Sequence, residues 1–81
     1  MFKSKYILDD KFTPIVFPET LAHSDVARNM GMLGRVIGAG FCYIQDDKYV
    51  CYGESVSLKV KSRGDEDSKR LNRLLGCSSD Y

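Results

Sequence analysis

The three cysteines and the single histidine are the residues whose types could support chemistry in this chain. Cys42 and Cys51 lie on either side of a predicted tight turn, and if they face each other across it, their separation suits a disulfide. An odd number of cysteines without a secretory leader favours reduced, packed thiols instead. Two thiols also provide too few ligands for structural zinc, and no spacing places His23 beside them. A nucleophilic role would require a thiol of depressed pKa next to a base or a cation.

The segment His23-Ser24-Asp25 places an imidazole next to a hydroxyl and a carboxylate. Neighbours in sequence do not have the geometry of a catalytic triad, which is defined by the positions of its members in space. The same residue types mark the start of a helix, where Thr20 or Ser24 would cap free backbone amides and Asp25 would lie in the first turn. We therefore expect His23 to be solvated and to have no catalytic role.

The glycines of segment 38–40 match only the beginning of a dinucleotide-binding fingerprint, because the third glycine is missing and no helix follows. They indicate instead a bulge or a close backbone approach within a strand. Two carboxylate pairs, Asp9-Asp10 and Asp46-Asp47, fall in predicted turns, where aspartate bonds to nearby backbone amides. We expect no catalytic residue, no cofactor and no metal site, and hence a protein that is not an enzyme.

Three aromatic residues on one hairpin face and three basic residues on the next strand form the candidate binding surface. They are Phe41, Tyr43, Tyr52, Lys59, Lys61 and Arg63. Aromatic rings beside cations can stack nucleic-acid bases and contact phosphates. The same rings are also needed in the core of so small a domain, and lysines on an edge strand prevent edge-to-edge pairing. The formal net charge of +1 argues against a dedicated nucleic-acid binder.

The elements that position these residues begin with a predicted hairpin of strands 5–8 and 13–17, joined by a turn at 9–11. Pro14 has no amide donor, so it belongs at a strand start or on an edge strand. Residues 19–31 carry helix signals, and Gly31 is a natural stop. The predicted apolar face of this helix consists of Leu21, Val26, Ala27 and Met30.

The central hairpin joins a strand over 36–45 to a strand over 49–52 through a two-residue turn at Asp46-Asp47. This turn pairs Gln45 with Lys48, Ile44 with Tyr49, Tyr43 with Val50, Cys42 with Cys51, Phe41 with Tyr52, and Gly40 with Gly53. A slip of one residue would separate the paired cysteines and the paired aromatics. We expect this hairpin to be the centre of the core.

After Gly53, the apolar residues Val56, Leu58 and Val60 alternate with polar ones, which predicts a strand with one buried face. A final helix begins with the acidic residues 65–67 and ends at Gly76, and its apolar stripe consists of Leu71, Leu74 and Leu75. The order β-β-α-β-β-(β)-α predicts an α+β fold, a small antiparallel sheet with two helices packed on it.

The length of 81 residues predicts one domain, over 1–76, with a flexible C-terminal tail at 77–81. The first apolar stretch is too short for a signal peptide, and no apolar run is long enough to span a bilayer. We therefore expect a complete cytosolic protein with no membrane partner. Because small chains bury little surface, a homodimer is one way to cover what remains exposed.

Several short segments resemble a group of small uncharacterised proteins from tailed bacteriophages and prophages. They read TPIVFPE (13–19), HSDVA (23–27), AGFC (39–42), CYGESVSL (51–58), and SR (62–63) followed by ED (66–67). The similarity covers most of the chain, from Thr13 to Leu75. It implies a phage or prophage origin and a location in the host cytoplasm, and it implies no activity and no catalytic residue.

The leading hypothesis is a non-enzymatic, phage-type accessory protein that binds a host or phage protein through exposed strand edges and aromatic faces. The alternative is a small nucleic-acid-binding module that uses the aromatic face and the basic strand. A third reading, an enzyme with a nucleophile at Cys42 or Cys51, needs an activated thiol.

Overall fold

A computed structural model describes residues 3–75, which form a four-stranded antiparallel sheet, a two-stranded sheet and two helices. In chain order the elements are β1 (Ser4–Asp9), β2 (Pro14–Pro18), α1 (His23–Asn29), β3 (Val36–Gln45), β4 (Lys48–Tyr52), β5 (Glu54–Ser55), β6 (Val60–Lys61) and α2 (Asp65–Leu75). This confirms the predicted α+β class and the predicted element order. The predicted tail at 77–81 and the helix end at Gly76 lie outside the described residues.

The large sheet has the strand order β2-β1-β3-β4, so β1 pairs with two neighbours. Its consecutive residues Tyr6, Ile7 and Leu8 are fully buried, which means that both faces of the sheet are covered. On one face, Tyr6 and Leu8 pack in a cluster with Leu71 of α2. On the other, Ile7 packs with Ala27 of α1, and residues of the β5–β6 hairpin join this cluster.

The centre of the core is therefore β1, and the prediction that placed it in the hairpin from Phe41 to Tyr52 is wrong. Cys42 and Cys51 of that hairpin are buried, but Tyr52 on its opposite face remains 40% exposed. The physical reason is topological: a strand with a neighbour on each side and a layer on each face is shielded from every direction. The hairpin contains the edge strand β4, which lacks one neighbour.

The register of the central hairpin is confirmed at every pair from Gln45–Lys48 to Phe41–Tyr52. Asp46 and Asp47 have φ values of 52° and 63°, the left-handed conformation that a two-residue type I′ turn needs at both positions. The ladder stops before Gly40–Gly53, because the chain turns at Gly53, where φ is 79°.

The predicted continuous strand through Val56, Leu58 and Val60 is wrong. Strand β5 ends at Ser55, and a turn over 56–59 returns the chain to β6. The Ser55 hydroxyl accepts a hydrogen bond from the Leu58 amide at 3.2 Å, which gives the backbone a local alternative to a ladder. Val56 is consequently 79% exposed, whereas Leu58 and Val60 still pack against the core.

Helix α1 is shorter than predicted, and its N-cap is Ala22, with no side-chain hydrogen bond at the cap. The expectation that Thr20 or Ser24 caps it is wrong, because Thr20 precedes the cap and Ser24 already lies in the first turn. Gly31 has a φ of 70° and ends the helix as predicted. Of the predicted apolar face, Ala27 is buried, and Leu21 and Met30 are about half exposed.

Helix α2 follows the prediction more closely. It begins with three acidic residues, and Leu71 is fully buried. The apolar stripe is narrower than predicted, because Leu74 and Leu75 are 50% and 41% exposed. Neither helix within residues 3–75 is long and apolar enough to cross a membrane.

Candidate functional site

Three of the predicted site residues meet on the face of the large sheet opposite α2. The ring centroids of Phe41 and Tyr52 are 5.8 Å apart, and those of Tyr43 and Tyr52 are 5.7 Å apart. All three rings are partly solvent-accessible, and Tyr52 is the most exposed. We call Phe41, Tyr43 and Tyr52 the aromatic face. Phe41 and Tyr43 are two residues apart on β3 and so share a face, and Tyr52 joins them because it is the cross-strand partner of Phe41.

His23 lies beneath the aromatic face and is buried, so the expectation of a solvated histidine is wrong. Its ring contacts Phe17 and Phe41 edge-on, with centroids 5.5 Å and 6.1 Å away. Its Nε2 is 2.8 Å from the carbonyl oxygen of Gly40, which accepts a hydrogen bond from the ring. Burial lowers the pKa of His23, and the nearby Lys5 ammonium adds to this, so the ring is neutral at pH 7.

A groove of about 490 Å³ borders the aromatic face. Its walls include Phe41, Tyr52 and the exposed Val56, and Lys5 lies at its margin. The ammonium of Lys3 is 4.8 Å from the Phe41 ring centroid, within range of a cation–π contact. The lining of the groove is therefore mainly apolar, and its charged members are Lys5 and Glu54.

The three predicted basic residues do not form one strip beside these rings. Lys59 lies in the turn between β5 and β6, and Lys61 pairs with Glu54 across that small hairpin. The Arg63 Nε is 2.9 Å from Asp67 Oδ1, and its guanidinium also reaches Glu66 at 3.2 Å. Both carboxylates belong to α2, so Arg63 points to the other side of the sheet from the aromatic face.

A buried polar network around Asp67 has no counterpart in the sequence-based expectations. Asp67 is fully buried and accepts hydrogen bonds from the Tyr6 hydroxyl, the Arg63 amide and the Arg63 guanidinium. The Tyr6 hydroxyl also lies 2.7 Å from Ser62 Oγ. Burial raises the pKa of Tyr6, and the bond to Asp67 raises it further, so Tyr6 stays protonated as a donor. This network joins β1, the segment after β6, and α2.

Cys42 and Cys51 face each other as predicted, both are buried, and no disulfide joins them. Burial raises the pKa of the Cys51 thiol to about 11, so it is protonated at neutral pH. A protonated thiol in the core is a packing group and a poor nucleophile. Within residues 3–75, no three His, Cys, Asp or Glu side chains come together in a way that could hold a metal ion.

Both outer strands of the large sheet are protected. The amide and the carbonyl of Tyr49 on β4 bond to the Asn72 side chain at 2.7 Å and 3.1 Å, and the Cys51 amide donates to Ser68 Oγ at 2.9 Å. Side chains of α2 thus form hydrogen bonds with the backbone groups of β4 that point away from β3. On the opposite outer strand, β2, both Pro14 and Pro18 lack an amide donor. Prolines on an edge strand discourage pairing with another chain.

Neither protein-family models, nor curated proteins, nor solved structures yield a match to this chain.

Proposed function

We propose that this chain is a non-enzymatic, phage-type accessory protein that binds another protein in the host cytoplasm through the aromatic face and its groove. The phage origin and the location rest on the resemblance of the short segments between Thr13 and Leu75. The binding role rests on one observation: the rings of Phe41 and Tyr43, both packed against Tyr52, remain partly exposed together with it in a small domain.

The aromatic face has the composition of an interface centre. Tyrosine and phenylalanine are enriched at the centres of protein–protein interfaces, because rigid rings bury much area at little cost in side-chain entropy. Tyr52 at 40% exposure and Val56 at 79% exposure supply accessible apolar surface in the lining of the groove. Lys5 is a polar member of the groove lining, and the Lys3 ammonium lies over the Phe41 ring.

Recognition through this face involves side chains and does not require strand addition. The sequence-based hypothesis included pairing at exposed strand edges. That mode has little support, because α2 side chains bond to the outer edge of β4 and two prolines interrupt the donors of β2. A partner would therefore lie across the aromatic face without extending the sheet.

Two features support the non-enzymatic part of the proposal. The Cys51 thiol is protonated and buried, which is unfavourable for nucleophilic attack. The imidazole of His23 contacts rings and a backbone carbonyl, and its neighbours Ser24 and Asp25 do not bond to it. Neither group has the partners that general acid–base or nucleophilic catalysis requires.

The test is affinity capture from bacterial lysate with two substitutions in the groove and one matched control. Val56→Ser and Tyr52→Ala remove apolar surface from the groove, and Leu74→Ser removes similar exposed surface from α2, on the other side of the sheet. We expect wild type and Leu74→Ser to retain one protein in stoichiometric amounts at micromolar concentration. Both groove variants should lose it.

Two results would contradict this proposal. One is that no protein is retained and the purified chain is monomeric, and the other is that all three variants retain the protein equally. Light scattering of the purified protein covers the case in which the partner is a second copy of this chain. In that case wild type and Leu74→Ser would be dimeric, and Val56→Ser and Tyr52→Ala would be monomeric.

A further inference from the structure

Within residues 3–75, a group of basic side chains without carboxylate partners lies on the α2 side of the sheet, away from the aromatic face. A cleft of about 560 Å³ opens between the β1–β2 turn and α2. This volume is in the range of roughly 300–1,000 Å³ typical of small-ligand sites. The residues that line this cationic cleft are Phe12, Arg63, Glu66, Lys69, Arg70 and Arg73.

Among the basic residues of the cationic cleft, Arg63 has carboxylate partners and, in the described part of the chain, the others do not. Glu66 forms an ion pair with Arg63, and Arg63 also contacts the buried Asp67. Within residues 3–75, Lys69, Arg70 and Arg73 form no ion pair with a carboxylate. Lys69 and Arg73 are four residues apart on one helix, where like charges repel each other. Three positive groups are therefore available to an anion, although the overall net charge is only +1.

One of these cations is held in place by an aromatic ring. The guanidinium carbon of Arg70 is 4.0 Å from the centroid of the Phe12 ring, a close cation–π stack. Contact with the ring restricts the motion of the guanidinium, a group whose fork of N–H donors suits bidentate contact with a phosphate. Arg70 is thus positioned before any ligand arrives.

Phe12 itself is held in an unusual conformation. Its φ of 62° is left-handed, a conformation that costs energy for a bulky residue, and its side chain is 38% exposed. The turn enforces this geometry, because the Phe12 amide bonds to the Asp9 carbonyl at 2.9 Å. The Asp9 side chain also accepts hydrogen bonds from the amides of Lys11 and Thr13 at 3.0 Å and 2.8 Å. Strain of this kind concentrates where a side chain has a functional position.

We propose that the cationic cleft is a binding site for single-stranded nucleic acid. Lys69 and Arg73, about 6 Å apart along the helix axis, contact successive phosphates, and Arg70 contacts a phosphate or stacks on a base. The part of the Phe12 ring that remains exposed beside Arg70 offers apolar surface for a base, which favours a nucleic acid over an acidic peptide. This site goes beyond the proposed protein-binding role and lies on the other side of the sheet, so either can fail alone.

The experiment is a fluorescence anisotropy titration of the full chain with labelled single-stranded DNA and RNA, over a series of salt concentrations. Lys69→Gln/Arg73→Gln is compared with Lys59→Gln/Lys61→Gln, which removes the same amount of charge from the β5–β6 hairpin. We expect the first variant to weaken binding by about tenfold or more at low salt. The slope of log affinity against log salt concentration should become about 1.4 less steep, because each phosphate contact on a single strand contributes about 0.7 to its magnitude. The second variant should match wild type.

Phe12→Gly separates binding from folding. Glycine adopts a positive φ without strain, which offsets part of the stability lost with the ring, and a thermal unfolding curve shows whether the variant is folded at the temperature of the titration. The folded variant should bind the oligonucleotide about fivefold to tenfold more weakly, since a stacking surface is lost.

Three outcomes would overturn the site. The first is no binding of either oligonucleotide at low salt. The second is equal weakening by the two double variants, which would show that only overall charge matters. The third is competition by polyglutamate at the same concentration as by unlabelled oligonucleotide, which would indicate an acidic protein segment as the ligand.

Discussion

The hydroxyl of Tyr6 on β1 donates a hydrogen bond to the carboxylate of Asp67 on α2, across sixty-one positions of sequence and inside the core. Asp67 is fully buried, and the Arg63 amide and guanidinium complete its set of donors. An anion removed from water is tolerable only when it is hydrogen-bonded or paired in this way. The contact therefore determines where α2 sits on the sheet, and with it the position of the cationic cleft.

Asp67→Asn should destabilise the fold by about 2–3 kcal/mol, because an amide nitrogen replaces an acceptor among three donors. Asp65→Asn is the matched control, since Asp65 is exposed in the same helical turn and should change stability by about 0.5 kcal/mol or less. Tyr6→Phe removes one of the donors and should cost about 1 kcal/mol. Urea denaturation of the three variants provides the measurement, and equal losses for Asp65→Asn and Asp67→Asn would contradict the role of the network.

Gly38→Ala should destabilise the fold by about 1–3 kcal/mol, because a Cβ at this position would overlap the Asp67 carboxylate. The effect depends on that one neighbour, so it can be tested by a double-mutant cycle. In an Asp67→Ala background, Gly38→Ala should cost clearly less than it does in wild type. Additive losses would show that the clash lies elsewhere.

The central hairpin could be predicted from sequence because two independent signals agree on one register. Asp46 and Asp47 tolerate the left-handed turn, and the pairing of Cys42 with Cys51 and of Phe41 with Tyr52 fits only that alignment. Once the register is known, the alternation of side chains along a strand assigns each residue to one face of the sheet. The grouping of Phe41, Tyr43 and Tyr52 on one face could therefore be predicted from the hairpin sequence alone.

The positions of His23 and Asp67 could not be predicted in the same way. Both are polar residues in segments that read as solvated helix starts, and both are buried by partners distant in sequence. His23 bonds to Gly40, and Asp67 bonds to Tyr6. The position of Arg63 could not be predicted either, because it depends on the path of the chain after Gly53. The alternation of apolar and polar residues from Val56 to Val60 is typical of a strand, but this segment contains a turn.

Asn72→Ala should expose the outer edge of β4. The Asn72 side chain bonds to both the amide and the carbonyl of Tyr49. When this side chain is removed, the partly buried Tyr49 amide loses its hydrogen-bond acceptor. We expect a loss of about 1–2 kcal/mol and faster hydrogen exchange at the Tyr49 amide. Arg73→Ala, at the next and exposed position of α2, should leave that exchange rate unchanged. Unaltered exchange in Asn72→Ala would show that the helix does not protect this edge.

The buried His23 predicts a loss of stability in mildly acidic solution. Burial lowers its pKa in the folded state below the ordinary value of 6.5, so the unfolded chain binds a proton at a pH where the folded protein does not. As the pH falls below about 6.5, the proton therefore favours unfolding, and stability declines by at most about 1.4 kcal/mol per pH unit until the folded-state pKa is reached. Above pH 7 this contribution is constant.

His23→Gln isolates this contribution, because the glutamine amide can still donate to the Gly40 carbonyl but does not titrate. Urea denaturation of both proteins between pH 5 and pH 8 gives the comparison, since most carboxylates titrate below this window. The difference in stability between wild type and His23→Gln should be constant above pH 7 and should shift against wild type as the pH falls. A difference that is independent of pH would mean that His23 takes up a proton as readily in the folded protein as in the unfolded chain, and that its contacts with Phe17, Phe41 and Gly40 do not exclude the charged ring.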